Sequence, residues 1–407
     1  MSSAQLQSVS GSALGQRPGY RWLVLTVCWL AFILTSVDRS VWGPAAPSVG
    51  SALGVPIAAL GIFATTYYIG YVVTNFLGGV ASDWVGPRVV LTASIGVAGI
   101  CMILFGTVQS FAFGLALQGI LGFFAGADYS AGAKTITSWF APKERNLAFG
   151  FYITATSLGT VIANLAVPHL IENAGWRPSY FLFGSICIVL AVVIALVLRT
   201  GPLEVAPSGT RRLPSLKSLA DRDLIFLAIA GFGSLWGTYG FVTWSNTLMI
   251  KGSGIDPVDA GLVVALFAIT AVIFKPVVGF VSYRAGGRKK LIIVGILAMF
   301  AIMLLIFGQL HSFTAFLIAA PFLGFAGYCY SPLQNAMIQD LAAPGTAGSA
   351  AGSVNAVWQL GSVVVPTVVG LVYAATSSVY SAFIVLAIGP VVGLLVTLLI
   401  NEKRYAR

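Results

Sequence analysis

Twelve long apolar runs dominate this sequence and restrict what it can fold into. A run of about 20 apolar residues is long enough to cross a bilayer as a helix. Inside a bilayer the backbone polar groups find no water, and a helix satisfies them within the run itself. The runs lie at 21–43, 57–81, 89–108, 112–138, 147–169, 180–199, 223–250, 259–282, 291–309, 313–337, 350–375 and 379–400. The sequence therefore predicts an all-α membrane protein with twelve transmembrane helices.

Charged residues are too few for a soluble protein. Asp, Glu, Lys and Arg make up 8% of the chain, whereas a soluble domain has about 25% charged residues. The net charge of +10 would suggest a nucleic-acid partner for a soluble protein. Here the basic residues follow the ends of the apolar runs, so we expect a lipid bilayer as partner and no nucleic acid.

The distribution of the 22 basic residues predicts the orientation. With both termini in the cytoplasm, seventeen of them lie on that side, Arg177 and Lys251 lie on the other, and three lie within spans. Such an excess is typical of cytoplasmic loops. The seventeen are Arg17, Arg21, Arg88, Lys143, Arg145, Arg199, Arg211, Arg212, Lys217, Arg222, Arg284, Arg288, Lys289, Lys290, Lys403, Arg404 and Arg407. We expect a multi-pass protein of a bacterial inner membrane.

One long connection divides the spans six and six. It is rich in Pro, Gly and basic residues. The predicted organisation is a disordered tail at 1–19, a six-helix bundle at 20–199, a cytoplasmic linker at 200–222, a six-helix bundle at 223–400 and a short tail at 401–407.

The two halves also repeat each other. Gly79-x3-Asp83-x2-Gly86-Pro87-Arg88 follows the second span, and Gly279-x3-Tyr283-x3-Gly287-Arg288-Lys289 follows the eighth. Leu158-Gly159 in the fifth span has a counterpart in Leu360-Gly361 in the eleventh. Two pseudo-symmetric six-helix halves normally place a substrate site between them near the membrane midplane. This architecture indicates a transporter.

The loop from Gly79 to Arg88 resembles the signature between the second and third helices of the major facilitator superfamily. The twelve spans, the division into two halves and the degenerate second copy are similar to that family over the whole chain. The loop departs from it where Trp84 takes a usual Arg or Lys position and Tyr283 replaces the acid of the repeat.

Several segments resemble the anion:cation symporter family within that superfamily. They are Val37-Asp38-Arg39-Ser40 with Ala45-Ala46-Pro47, Tyr71, the stretch Ser138–Arg145, and Asn355 with Gln359-Leu360-Gly361. The resemblance implies uptake of sugar acids and other organic anions, usually with protons. It implies that Arg39 binds the substrate carboxylate, that Tyr71 hydrogen-bonds it, and that Asp38 takes part in proton coupling. Asn355 and Gln359 are further substrate-binding candidates, and Gln359 stands where the family usually has Asn.

Two departures concern charged residues. The family's fourth helix commonly carries an Arg and a Glu, but the matching positions here hold Gln118 and Ala125. Asp128, one turn further on, is the candidate replacement for the missing acid and a second proton-coupling residue. Lys275-Pro276-Val277-Val278-Gly279 in the eighth span resembles the Arg-Pro-x-x-Gly of monocarboxylate transporters, whose cation binds carboxylate.

Charges within spans are costly and commonly functional. Asp38 and Arg39 lie about 100° apart on a helix, so each needs its own partner. Arg39 and Lys275 are either cavity cations for an anion or side chains that reach to an interface. Asp38 and Asp128 either carry protons or form static ion pairs with Arg39 or Lys275. Pro276 frees a backbone carbonyl and is predicted to kink its helix, which suits a broken helix that lines a cavity.

The remaining candidates lie near the cytoplasmic side. Asp83, Arg88 and Arg145 are predicted to form a gate, with Asp83 pairing to Arg145 as a gate or brace. Lys134 is expected to reach to the interface. No catalytic motif, metal-binding cluster or cofactor motif appears in the sequence, so we expect neither an enzyme nor a cofactor.

The predicted function is uptake of an organic anion with protons by alternating access, with sodium as the alternative coupling ion. The resemblance implies a monomer. The alternatives are a proton-coupled exporter or antiporter of a drug or metabolite, and a membrane sensor on a transporter-like frame.

Overall fold

The computed structural model describes residues 18–199, 201–203, 221–284, 289–342 and 347–401. The predicted tails at 1–19 and 401–407 and the linker at 200–222 lie almost wholly outside these residues. Within the described residues the chain forms helices joined by short turns, with no strand. The helices are α1 Pro18–Leu53, α2 Ile57–Val85, α3 Pro87–Phe105, α4 Phe111–Ala125, α5 Asp128–Trp139, α6 Pro142–Ala174, α7 Arg177–Val197, α8 Arg222–Ser253, α9 Pro257–Arg284, α10 Lys290–Phe307, α11 Phe313–Tyr328, α12 Ser331–Leu341, α13 Ala347–Thr376 and α14 Val379–Leu399.

The predicted number of membrane spans is confirmed. Twelve stretches in the described part of the chain are long and apolar enough to cross a bilayer. Two of them consist of paired helices, α4 with α5 (Phe111–Trp139) and α11 with α12 (Phe313–Leu341). The first span is longer than predicted, because α1 continues through Pro44 and Pro47 as far as Leu53.

The helix interruptions lie in the fourth and tenth spans and not at Pro276. The chain turns at Gly126-Ala127 between α4 and α5, and at Cys329-Tyr330 between α11 and α12. By contrast, α9 continues as one helix through Pro276 and is not broken there. A proline removes one backbone hydrogen bond, and neighbouring helices in a bundle let a membrane helix tolerate that loss.

The seven helices α1–α7 form one bundle and α8–α14 form the other. Within each bundle, glycines allow close backbone contact, as small residues do between membrane helices. A Cβ on Gly122 in α4 would overlap the carbonyl oxygen of Tyr67 in α2. A Cβ on Gly233 in α8 would overlap the carbonyl oxygen of Gly389 in α14. The two bundles are therefore built by the same kind of packing.

The two bundles meet closely at one end of the molecule. We call the end where α1 and α8 finish, at Leu53 and Ser253, the far end. The other end, which carries Arg21, Arg88 and Lys290, is the basic end.

Close inter-bundle contacts run towards the far end. A Cβ on Gly61 in α2 would overlap the Pro366 carbonyl oxygen in α13, and one on Gly261 in α9 would overlap the Asn164 carbonyl oxygen in α6. At the basic end, α5 packs on α1, α2, α3 and α6, and α12 packs on α8, α9 and α13, each within its own bundle. The bundles are thus closed at the far end.

Candidate functional site

Arg39 lies at the junction of the two bundles. Its guanidinium carbon is 5.9 Å from the ring centre of Tyr71 in α2 and 5.0 Å from that of Tyr239 in α8. These distances are within the range of cation–π attraction. Because Tyr71 belongs to the first bundle and Tyr239 to the second, Arg39 points between the bundles. The alternative that it reaches to a membrane interface is not what the structure shows.

Lys275 reaches the same junction from the second bundle. Its Nζ is 4.8 Å from the ring centre of Tyr328 and 3.5 Å from Oγ of Ser157, which belongs to α6 of the first bundle. Lys275 and Arg39 are close enough to repel each other electrostatically. Both side chains are half-buried. Among the described residues, neither has a salt-bridge partner.

Tyrosine rings surround the two cations. Tyr68 and Tyr239 approach across the junction with ring centres 5.4 Å apart, and Tyr67 stacks on Tyr71 at 6.1 Å. The hydroxyl of Tyr67 is buried without a hydrogen-bond partner in the described structure. Tyrosine combines an apolar ring with a hydroxyl that donates or accepts. The lining can therefore hold both the polar groups and the carbon skeleton of an organic ligand.

Asn355 and Gln359 lie one turn apart on α13. The Asn355 amide donates a hydrogen bond to Oδ1 of Asn75 in α2 at 3.1 Å, which links the two bundles. Gln359 is buried, and its Oε1 accepts from the hydroxyl of Ser362 in the same helix at 3.2 Å. The structure thus brings Asn355 to the junction on the side of Tyr71. The described contact of Gln359 is within its own helix.

Asp38 and Asp128 lie inside the first bundle and not at the junction. Asp38 is 3% exposed, and Sγ of Cys187 in α7 approaches its Oδ1 at 3.7 Å. Asp128 is fully buried, and neither carboxyl oxygen has a hydrogen-bond partner in the described structure. The hydroxyl of Thr35 in α1 lies beside it. The two acids are also close enough to interact electrostatically.

The alternative of static ion pairs is wrong in this conformation. The described structure contains no salt bridge between Asp38 or Asp128 and Arg39 or Lys275. The reason is the rotation of α1, which turns Asp38 towards α7 and its neighbour Arg39 towards α8. The about 100° step between consecutive helical residues separates the two charges in this way.

The predicted pairing of Asp83 with Arg145 is also wrong in this conformation. Asp83 accepts from Nζ of Lys134 at 2.8 Å, and Lys134 also donates to the Ser82 carbonyl oxygen. Arg145 instead donates to the carbonyl oxygens of Thr137 and Phe140 at 2.9 and 3.0 Å. These carbonyls lie at the end of α5, where the helix leaves them without partners.

Arg88, the third residue of the predicted gate, donates to the carbonyl oxygen of Ala195 at the end of α7. Arg88 and Arg145 therefore both satisfy backbone carbonyls within the first bundle.

Several residues of the junction were not predicted. Ser157, Asn75 and Tyr328 contact the predicted site residues, and Asn246 of α8 donates to Oδ1 of Asn164 in α6 at 2.9 Å. Asn75 could have been found, because it follows Tyr71 by four residues and shares its helix face. Ser157 has no such signal, since its partner comes from the other bundle.

Comparison with known proteins identifies the family. The chain matches the profile described as the Major Facilitator Superfamily over residues 28–256 and again over residues 227–407. The chain belongs to the major facilitator superfamily. This major facilitator protein is therefore a multi-pass integral membrane transporter and not an enzyme. Its fold is the predicted one, with twelve transmembrane helices in two pseudo-symmetric bundles.

The proteins that are similar to it in sequence include transporters of anionic compounds. It is 26% identical to the hexuronate transporter of Bacillus subtilis (strain 168) over 89% of this chain and 90% of that protein. It is 24% identical to the probable sulfoacetate transporter SauU of Cupriavidus necator over 95% of each. It is 23% identical to the probable galactarate/D-glucarate transporter GudP of Bacillus subtilis (strain 168) over 95% of this chain and 93% of that one.

Solved structures support the fold. A bacterial homologue of the human lysosomal transporter Spinster, in an inward-facing and occupied conformation, superposes with a TM-score of 0.77 at 16% identity. That match covers 95% of this chain and 97% of the homologue. A point mutant of the nucleoside transporter NupG gives a TM-score of 0.76 at 16% identity, over 93% of this chain and all of that one.

Proposed function

We propose that this transporter takes up an organic anion of the carboxylate or sugar-acid type together with protons. One observation carries the proposal: Arg39 and Lys275, from opposite bundles, meet at the junction without an acidic partner in the described structure. A cation without a counter-ion in a protein interior is costly, so the site is incomplete without an anion. The relatives named for hexuronate, galactarate and glucarate, and sulfoacetate support an anionic substrate.

Arg39 is the primary carboxylate-binding residue in this proposal. Its guanidinium offers a planar pair of N–H donors that matches both oxygens of a carboxylate. The ring centres of Tyr71 and Tyr239 lie 5.9 and 5.0 Å from the guanidinium carbon. The Tyr71 hydroxyl then donates to the substrate. Asn355 and Gln359 of α13 contact hydroxyl or carbonyl groups of the substrate. For this, Asn355 gives up its hydrogen bond to Asn75 and binds the substrate instead.

Lys275 supplies the second positive charge. Because Arg39 and Lys275 belong to different bundles, an anion bound between them draws the bundles together. A bound substrate thereby favours the occluded state through which alternating access proceeds. Without an anion, the mutual repulsion of the two cations opposes that closure.

Asp38 and Asp128 are the proposed proton carriers. Both are buried without a cationic partner among the described residues, and a charged carboxylate is costly in such a place. In this conformation each acid has no counter-ion, and burial therefore favours its neutral, protonated form. Deprotonation then requires the conformational change that brings water or a cation to the carboxyl group.

In the proposed transport cycle, the two ends of the molecule take turns in being closed. The far end, sealed by α2 against α13 and α6 against α9, opens as the basic end closes. Asp83, Arg88 and Arg145 form the gate at the basic end, where the Asp83–Lys134 pair and the two backbone contacts hold α2, α3 and α6 in place. The positive-inside excess supports a cytoplasmic basic end, in a bacterial inner membrane and with both termini cytoplasmic. The proposed working unit is a monomer.

Uptake into proteoliposomes tests this function. Radiolabelled hexuronates, aldarates and short carboxylates are offered with an inward proton gradient, with an inward sodium gradient, and with no gradient. We expect uptake of at least one anion to rise several-fold with the proton gradient. Absence of gradient-dependent uptake of any anion would end the proton-symport proposal, and dependence on sodium alone would replace the proton as the coupling ion.

A further inference from the structure

The two cations of the junction come as a pair, and this pair bears on the charge of the substrate. The following inference rests on the anion-transport function proposed above. A single carboxylate satisfies one cation, through the two N–H groups of the Arg39 fork. It leaves the ammonium of Lys275 half-buried, with a hydroxyl at 3.5 Å and an aromatic ring as its described contacts. One positive charge then stays uncompensated.

The two cations lie near the same tyrosine of α11. Nζ of Lys275 is 4.8 Å from the ring centre of Tyr328, and Arg39 is close enough to this tyrosine to interact with it electrostatically. A small molecule with an anionic group at each end fits such an arrangement.

The balance of charge within the spans favours the same conclusion. Among the described residues, and away from the ends of the spans, pairing of Lys134 with Asp83 leaves two cations, Arg39 and Lys275, and two acids, Asp38 and Asp128. The empty carrier is electrically balanced when both acids are ionised. With both acids protonated, balance requires two negative charges on the substrate. Since a net charge in the membrane interior is costly, a dianion is the cargo that lets the loaded carrier reorient as easily as the empty one.

We infer that the site takes a dianion, such as a dicarboxylate, with one anionic group at Arg39 and the other at Lys275. Each dianion travels with two protons, so that transport moves no net charge. A monoanion binds through Arg39 alone.

Matched pairs of ligands test the inference directly. The purified full chain in detergent is titrated with glucarate and with gluconate, which differ by a carboxylate against a primary alcohol at one end. Glutarate and its mono-amide form a second pair. Dissociation constants come from thermal shift or from inhibition of uptake. We expect at least one dianion to bind about tenfold to a hundredfold more tightly than its matched monoanion, as the loss of one charged hydrogen bond predicts.

Variants assign the difference to Lys275. In Lys275→Gln the dianion and its matched monoanion should bind within about threefold of each other, with the monoanion close to its wild-type affinity. Lys275→Arg keeps the charge and should retain the preference. The control is Lys251→Gln near the far end, which should retain the full preference for the dianion.

The outcomes separate this inference from the proposed function. If no anion of either charge binds or is transported, the anion-transport function itself fails. If the wild-type protein binds monoanions as tightly as their dianionic partners, the function stands and the dianion inference is overturned. A preference that persists in Lys275→Gln overturns the role of Lys275. Dianion uptake accelerated by an imposed membrane potential contradicts the two-proton balance.

Discussion

Replacement of Arg39 by lysine isolates the planar geometry of its side chain from its charge. The guanidinium lies 5.0 and 5.9 Å from two tyrosine ring centres and offers two parallel donors. Lysine keeps the positive charge but presents a point charge without the fork. The variant therefore loses about one charge-assisted hydrogen bond to the carboxylate, about 1.5–3 kcal/mol. That energy corresponds to an about 10- to 150-fold rise in KM.

The assay is the initial rate of anion uptake into proteoliposomes at a fixed inward proton gradient, over a range of substrate concentrations. Arg39→Lys should raise KM and change kcat little, whereas Arg39→Gln should lower uptake at least tenfold further, because the charge is lost as well. Arg177→Lys is the matched control, since Arg177 also stacks on an aromatic ring, that of Trp176 at 4.5 Å, away from the site. A KM for Arg39→Lys within threefold of the wild-type value would refute the bidentate contact.

Three further predictions concern the closed end, the coupling and the gate. Gly61→Val places a side chain against the Pro366 carbonyl, so the far end should fail to close and net uptake should fall at least about tenfold, while the protein still elutes as a folded monodisperse species. Asp128→Asn mimics a permanently protonated acid, and should abolish gradient-driven uptake but retain exchange of labelled for unlabelled anion; equal loss of both would contradict its coupling role. Asp83→Asn removes a partly exposed ion pair worth about 0–1 kcal/mol, so the transport rate should change by about fivefold at most. The double variant Asp83→Lys, Lys134→Asp restores the ion pair with its charges exchanged and should recover the wild-type rate.

The fold was predictable because a bilayer imposes the length of each apolar run. Twelve runs were enough to predict the spans, since no other backbone arrangement crosses a membrane here. The end of α1 was not predictable, because Pro44 and Pro47 usually end a soluble helix but are tolerated in a bundle. The unbroken path of α9 through Pro276 has the same cause.

The candidate site was predictable only in part, because the rotation and packing of the helices decide which side chains meet. The sequence indicated that Asp38 and Arg39 face different directions, but the partners on each side come from distant helices. Cys187 lies beside Asp38 only because α7 packs on α1. In the same way, the meeting of Lys275 with Ser157 depends on the contact of α9 with α6 across the junction. Such contacts carry no local sequence pattern.

The partners of the charged residues at the gate were also not predictable from the sequence. Charge type and location at the basic end suggested that Asp83 pairs with Arg145, and Lys134 was expected to reach to the membrane interface. The structure instead uses Arg145 to satisfy the last carbonyls of α5, and this leaves Lys134 as the partner of Asp83. A helix end with unpaired carbonyls competes for nearby cations, and the outcome depends on which side chain the local geometry favours.

The most direct test of the central claim is a structure determined with the tightest-binding anion from the titrations. The account predicts one molecule at the junction, with oxygens within about 3.2 Å of both the Arg39 guanidinium and the Lys275 ammonium. An anion held by residues of one bundle alone, or bound away from both cations, would contradict the claim.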